Sequence, residues 1–477
     1  MQERDAAMLR TAVLRRLVRH GTAAAYTPVI GVECHVQLNT ATKAFCRCTH
    51  NAHAAPNTHV CGVCLGEPGT LPVHARDAPV LGLKAAVALD CAELADRLEW
   101  DRKNYSYPDL PKGYQITQLR KPLAKRGRVA IDGKTIRITS LHLEEDSAKT
   151  GECIDHNRAG VALAEVVTEP DLTSGAEAAS FVRELQQIMR RCGASDARLE
   201  HGELRVDVNV SVTRAGEVRE RVELKNLNSL RAVRLACDFE LQRQAKVYAG
   251  GGAVTRDTRA WDGRATYVLR EKGGASEYRF APEPDLPPRP LAVELAGLNY
   301  AEILATTPRA ARLQCVAVGV DATTAGRLVE KDVDAFFLET VRRGAPTAAA
   351  QWLLGEVAAV TADLPPCFRP QDLADLLRAV EDGALSRRSA KELLPGLMAA
   401  HAGVAEEIKK RGLARVDDAS VIDDIVRATL AESPEEVELF KEGRMKLRKV
   451  LMGRCMAKAK GRADPRRLGA ALDAALA

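Results

Sequence analysis

Thr27–Leu38, TPVIGVECHVQL, alternates along its length, with Ile30, Val32, Cys34, Val36 and Leu38 on one side and Glu33, His35 and Gln37 on the other. Successive side chains of a strand point to opposite faces, so this stretch reads as a strand with an apolar back and a polar front. Two later stretches repeat the pattern. Leu204, Val206, Val208, Val210 and Val212 alternate with Arg205, Asp207, Asn209 and Ser211, while Val222 and Leu224 alternate with Arg221, Glu223 and Lys225. A solvated face of an antiparallel sheet explains any one of these strands. Three together predict a sheet that presents carboxylate, imidazole, amide and cation on one surface.

The 477 residues exceed what one ordinary core holds, so two or three domains are expected. A formal charge of +5 is small for this length and leaves room only for a local basic patch. The most apolar run, Ala78 to Ala95, is interrupted by Lys84 and Asp90 and falls short of the roughly 20 residues a membrane span needs, so no membrane is expected. Twelve cysteines, some with metal spacing, fit reduced thiols in a cytosol or organelle matrix better than a disulfide framework. Between Met8 and Tyr26, Leu9, Val13, Leu14 and Leu17 are set against Arg10, Arg15, Arg16 and Arg19, the basic amphipathic pattern of a transit peptide. Glu3 and Asp5 suit an ordinary extension instead.

These patterns predict an α+β chain: an antiparallel-sheet-rich domain followed by an all-α middle and tail. The expected divisions are a leader over 1–27, a sheet-rich domain over 28–293, a helical domain over 294–365 and a helical tail over 366–477. Asp132-Gly133, between Val129/Ile131 and Ile136/Ile138, predicts a hairpin turn. Five prolines from Pro282 to Pro290 exclude helix and sheet interior and mark a boundary. A second division is expected near Pro365-Pro366 and Pro370. Ser433-Pro434-Glu435-Glu436 reads as a helix start with Ser433 as the N-cap. The tail concentrates Arg444, Lys446, Arg448, Lys449, Arg454, Lys458, Lys460, Arg462, Arg466 and Arg467, which suits either phosphate contacts with a nucleic acid or a solvated basic face.

Cys46-x-Cys48 and, twelve residues on, Cys61-x-x-Cys64 offer four thiolates from two short knuckles, the donor set of a closed tetrahedral zinc site. Such a site stabilises a loop and leaves no open coordination position. His50, His53 and His59 lie within the same loop and are substitute ligands. His142-Leu143-Glu144-Glu145-Asp146 places three acids in a row, which repel one another unless a cation compensates. Taken alone the run reads as an acidic surface turn; brought near Glu33 and His35 it would suit magnesium. In the turn-rich Asp101 to Gln115, Lys103 and Lys112 are candidate phosphate contacts, and Tyr105, Tyr107 and Tyr114 either stack on a base or pack. Gly133-Lys134-Thr135 is no P-loop, because Gly127 is one residue too distant. No Gly-rich serine stretch and no nucleophile elbow marks a hydrolase.

The segments VIGVECHVQL, PNTHVCGVCLGEPGTLPV, DRKNYSYPDLPKGYQIT, HLEEDSAK, NRAGVALAEVVTEPDL, VELKNLNSL and PEPDLPP resemble, in order, those of the B subunit of glutamyl/aspartyl-tRNA amidotransferase. The resemblance runs from about Val29 to the C-terminus, and the stretch from QDLADLLRAVEDGALS to KAKGRADP is similar to the family's helical tRNA-binding domain. It implies one chain of a carbon-nitrogen ligase that uses ATP to phosphorylate the side-chain carboxylate of glutamate on mischarged glutamyl-tRNA(Gln). Ammonia from a partner amidase, the A subunit of the complex, then displaces phosphate, and a small C subunit completes the assembly. The resemblance further implies ATP, Mg2+ and structural Zn2+ as cofactors. The leader favours a mitochondrial or chloroplast version over one in a bacterial cytoplasm.

Carried across by motif, Glu33, His35 and Glu145 fall where the family places its magnesium-associated activation site, with Glu144 adjacent and Lys103 facing the same pocket. Asp207, Asn209, Lys225 and Asn226 match family motifs as well, and the polar strand faces assign them to the nucleotide or the aminoacyl end. Cys46, Cys48, Cys61 and Cys64 match the family's zinc-containing form. Cys34, Ala162, His201, Glu203, Val206 and Ala281 depart from the family pattern, several of them near the expected substrate contacts at Leu199 to Asp207. The rival reading is a zinc-stabilised tRNA-binding protein without catalysis.

Overall fold

The computed structural model describes residues 26–51, 54–214, 217–271, 278–399, 403–414 and 418–476, without the side chains at 218, 270 and 271. The predicted leader over 1–27, apart from its last two residues, and His53 lie outside them. The chain forms two compact units, residues 1–309 and 310–477.

Thr27–Gln37 (β1) lies inside the ten-stranded sheet of the first unit. Also in it are Ala124–Ile131 (β2), Lys134–Glu145 (β3), Ala162–Thr168 (β4), Leu204–Arg214 (β5), Val222–Lys225 (β6), Asp257–Trp261 (β7) and Thr266–Glu271 (β8). Their spatial order is β8-β7-β6-β5-β1-β4-β3-β2, with Glu93–Leu94 beside β2. All three stretches read as strands from their alternation are therefore neighbours. Pairing is antiparallel except between β6 and β7, which run parallel because a helix connects them. The β2–β3 connection is the predicted hairpin: Ile131 pairs with Lys134, and Asp132 and Gly133 take the left-handed φ values of 43° and 79° that its two-residue turn requires.

Register aligns like with like. Cys34 lies opposite both Val166 and Val206, so the apolar backs merge. Ile30, Val32, Cys34 and Val36 are buried in the main core, where each fully covered Val or Ile contributes about 1.5–3 kcal/mol. Three helices, Asp77–Ala88 (α1), Gly175–Arg191 (α2) and Leu230–Ala249 (α3), add residues to the same core. Ser174 and Ser229 cap α2 and α3, accepting from the amides of Glu177 and Ala232. The apolar run near Ala78 is thus a core helix, and among the described residues no helix is long and apolar enough to cross a membrane.

The proline-rich segment is part of this unit. Arg279–Pro282 pairs with Asp101–Asn104, and Arg289–Pro290 with Arg97–Leu98, in small separate sheets where edge positions tolerate the missing amides. Ile303 of the helix Tyr300–Thr306 still packs in the first core.

The second unit is helical. Phe337, Trp352 and Phe368 share one core with Leu373, Leu377, Leu393 and Leu397, so Pro365 and Pro366 turn the chain between helices without ending a core. A further core unites Ile422 and Val426 with Leu451, Cys455, Leu468 and Leu472. Helix Pro434–Lys441 begins where expected, but Ser433 does not cap it; the Ser433 hydroxyl accepts from Arg454 at 2.6 Å instead.

Candidate functional site

The polar front of the sheet is a connected set of partly buried charges, and register builds it. His35 of β1 lies opposite Glu165 of β4 and Arg205 of β5, Glu33 opposite Asp207, and Glu165 opposite His142 of β3. His35 Nδ1 is 2.8 Å from Glu144 Oε1, and His142 Nε2 is 2.7 Å from Glu165 Oε2. His35, Glu144 and Glu165 offer donor atoms that all lie within 4.8 Å of one another. Burial opposes a charge on His35, but Glu165 and then Glu144 outweigh it and raise the imidazole to about 9. Burial likewise opposes the charge on Glu165, yet His142 and His35 hold it well below the usual carboxylate range.

Glu33 receives a 2.8 Å hydrogen bond from Asn209 Nδ2, but burial and the neighbouring Glu165 push its carboxyl up. Lys225 donates to Asp207 at 2.7 Å. Asp207 and Glu223 hold Lys225 above its ordinary range despite the burial that opposes its charge. Asn226 follows on an exposed left-handed turn, φ 62°.

The acidic run ends β3 inside the protein, which overturns the surface-turn reading: Glu144, Glu145 and Asp146 are 3%, 3% and 6% exposed. Each acid has its own basic partner, as three adjacent buried carboxylates require. Glu144 faces His35, Glu145 pairs with Lys112, and Asp146 meets Arg205 at 2.9 Å and Arg158 at 3.5 Å. Glu145 Oε1 also accepts the Ile116 amide at 2.9 Å. Lys112, expected to contact phosphate, is therefore committed to a carboxylate. The carboxylates closest to His35 are Glu144 and Glu165, with Glu145 turned toward Lys112.

Lys103 stands over the Tyr278 ring at 4.7 Å, and its charge helps keep Glu165 ionised. Tyr105 packs edge-on against both Tyr107 and Tyr278, so the tyrosines form a cluster beside this lysine. Glu165, and the parts that His142, Arg205 and Lys112 play beside it, escape the sequence pattern. Glu165 is a lone acid in an apolar strand, and only register across β1 could have revealed it.

Cys46, Cys48, Cys61 and Cys64 converge with their sulfurs within 4.8 Å of one another. Cys61 and Cys64 Sγ are 3.9 Å apart, close to the roughly 3.8 Å edge of a tetrahedron with 2.3 Å zinc–sulfur bonds. The Cys61 amide donates to Cys64 Sγ at 3.1 Å. Cys64 is depressed to about 4, the hydrogen bond from Cys46 being the largest cause, followed by the Cys61 backbone and the Lys43 charge against the opposing burial. The residues fit a closed metal site with no position for substrate. His59 instead meets Thr49 at 3.0 Å.

Comparison with known proteins agrees with this architecture. Residues 28–296 match the GatB/GatE catalytic domain family and residues 335–476 the GatB domain family. The B subunit of the aspartyl/glutamyl-tRNA(Asn/Gln) amidotransferase of Synechococcus elongatus is 39% identical over 92% of this chain and 96% of its own length. The B-1 subunit of the glutamyl-tRNA(Gln) amidotransferase of Micromonas pusilla, described as chloroplastic/mitochondrial, is 38% identical over 92% of this chain and 87% of its own. A sheet-borne charged site joined to a helical region is thus the architecture of one chain of a tRNA-dependent amidotransferase, a ligase of protein biosynthesis. The protein belongs to the B-subunit (GatB) family of these enzymes.

Proposed function

We propose that this chain activates the side-chain carboxylate of glutamate carried by mischarged glutamyl-tRNA(Gln), using ATP, and completes its amidation with ammonia delivered by a partner amidase. The observation that carries this reading is the partly buried His35–Glu144–Glu165 cluster with Glu33, Lys103 and Arg205 around it. A free carboxylate is a poor electrophile. Attack of its oxygen on the terminal phosphorus of ATP expels ADP and gives an acyl phosphate; attack by ammonia then expels phosphate and leaves the amide. Anionic reactants need cationic surroundings, which Arg205 and Lys225 on the sheet front and Lys103, close enough to act on Glu165, supply.

Glu33, Glu144 and Glu165, joined by His35 once it gives up its proton, would hold magnesium, which when bound neutralises phosphate charge, while Glu145 supports the site through Lys112. Asp207, Asn209, Lys225 and Asn226 line the adjoining strands and orient nucleotide or aminoacyl end. The four cysteines hold a structural zinc. The helical tail, 366–477, receives tRNA, while the partner amidase and a small third chain complete the enzyme. The basic amphipathic leader and the organellar Micromonas relative together support a mitochondrial or chloroplast version.

The test is co-expression with the partner amidase and measurement of ATP- and glutamine-dependent conversion of glutamyl-tRNA(Gln). Glu144→Gln and Glu145→Gln are each expected to lower conversion by about 10²–10³-fold with glutaminase activity and tRNA binding retained. An assembled wild-type complex that binds tRNA but converts none of it would sink the proposal and leave the tRNA-binding reading.

A further inference from the structure

Lys43 is the largest fully buried side chain described, at 0% exposure, and the sheet site makes no use of it. Its amino group donates to Cys64 Sγ at 3.5 Å and to the His156 carbonyl at 3.0 Å. Neither partner is a carboxylate. A buried ammonium without a counter-charge costs several kcal/mol, so the fold must supply an anion at this place. Four thiolates on a divalent metal carry a net charge of minus two, and such a dianion, its Cys64 end buried beside Lys43, needs compensation for the same reason. Each charge answers the other.

We propose that Lys43 is the charge-balancing partner of the four-cysteine metal site, and that it ties the state of that site to the segment leading into the catalytic sheet; this rests on the zinc reading above. The connections are continuous. His156, whose carbonyl receives Lys43, begins the His156–Gly160 turn, and Gly160 takes φ 83° where a side chain would lie 3.6 Å from Lys43 Cδ and 3.7 Å from Cys64 Cβ. The Gly160 amide donates to the Asp146 carbonyl at 2.8 Å and its own carbonyl accepts from Ala44 at 2.7 Å. Asn157 Oδ1 accepts from the His59 amide at 2.8 Å, and the Asp155 carboxylate accepts from the Asn57 amide at 3.1 Å, so the cysteine loop is fastened along its length to 155–160. On its other flank Gly66, just past Cys64, fits against the backbone of Pro111 and Lys112, where a Cβ would come within 3.0 Å. Lys112 is the partner of Glu145. The metal loop therefore props the activation site from two sides, and Lys43 is a positioning residue for it.

The experiment uses the full-length chain and measures zinc content and zinc release to a chromogenic chelator in wild type, Lys43→Met, Lys43→Gln and Lys43→Arg. One zinc per wild-type chain, with release about ten- to a hundred-fold faster in Met and Gln and near wild type in Arg, is the expected result. Hydrogen exchange at 154–160 should rise in the same two variants. Wild-type chains that hold no zinc would dispose of the zinc reading itself. Zinc held by wild type but released at equal rates from all variants would overturn the role of Lys43 alone. If Lys43→Met does not accumulate as folded chain, the Gln-against-Arg comparison decides on the same terms.

Discussion

Glu145 and Lys112 show what a single buried pair does here. Both side chains are nearly covered, at 4% and 11% exposure, so removing one partner strands a charge. Lys112→Met should cost about 3–5 kcal/mol, and adding Glu145→Gln should recover most of it, read from urea midpoints. A double variant no more stable than Lys112→Met would mean that the two groups are uncoupled. His74 works in the opposite sense. Burial and then the Arg289 charge hold it down at about 4, and its ring packs against Phe45 and Trp100. The unfolded chain, with His74 near its ordinary value, binds the proton more readily, so stability is complete above about pH 6.5 and falls as pH drops toward 4. Between about pH 7 and pH 5, His74→Phe should remove about 1–2 kcal/mol of the wild-type acid loss. Glu33, His35 and the cysteines were legible in the sequence because alternation and spacing are local. Glu165 and the pairing of Lys112 were not, because their partners come from strands whose pairing no local pattern encodes.

The glycines at element boundaries separate torsional from steric constraint. At Gly133 in the β2–β3 turn an added Cβ meets nothing within 4 Å, so Gly133→Ala should cost only the left-handed backbone term, about 1–2 kcal/mol. At Gly175, the first residue of α2, a Cβ would collide with the Arg234 carbonyl oxygen of α3. Gly175→Ala should force α2 and α3 apart and cost about 1–3 kcal/mol, with the loss visible in the thermal midpoint. Should Gly175→Ala leave the midpoint where wild type has it, the close approach of these helices would be refuted. The turn was readable because Asp-Gly is itself a signal. The Gly175 approach was not, because close helix packing leaves no mark on the local sequence, and Ser433 likewise looked like a cap although Arg454, far along the chain, takes its hydroxyl.

In the second unit the basic tail divides by partner. Arg448, Arg454 and Lys458 pair with Asp473, Glu436 and Glu432, which makes them parts of the helical packing. Lys446 and Lys449 lie exposed on the same stretch. Reversing these two to Glu should weaken tRNA binding and flatten its salt dependence by about 0.7–0.9 in logarithmic slope for each phosphate no longer neutralised, while Arg454→Met should lower the thermal midpoint first. An unchanged salt slope would move the tRNA surface elsewhere. The two-part architecture was evident from the disappearance of strand patterns, and Pro282 to Pro290 lie just ahead of residue 296, where the match to the catalytic-domain family ends, whereas Pro365 and Pro366 turn the chain within one helical core.

β1, which carries Glu33 and His35, is the first of the described strands along the chain, yet its partners on either side begin at Ala162 and Leu204. On the ribosome, at roughly 5–20 residues per second, its second flank is completed only some ten to thirty seconds after β1 itself has been synthesised. Until Thr168 is made, roughly 7–26 seconds at those rates, a ribbon of Ile30, Val32, Cys34 and Val36 waits without a strand mate, so the strand that bears the chemistry is open to mispairing during translation.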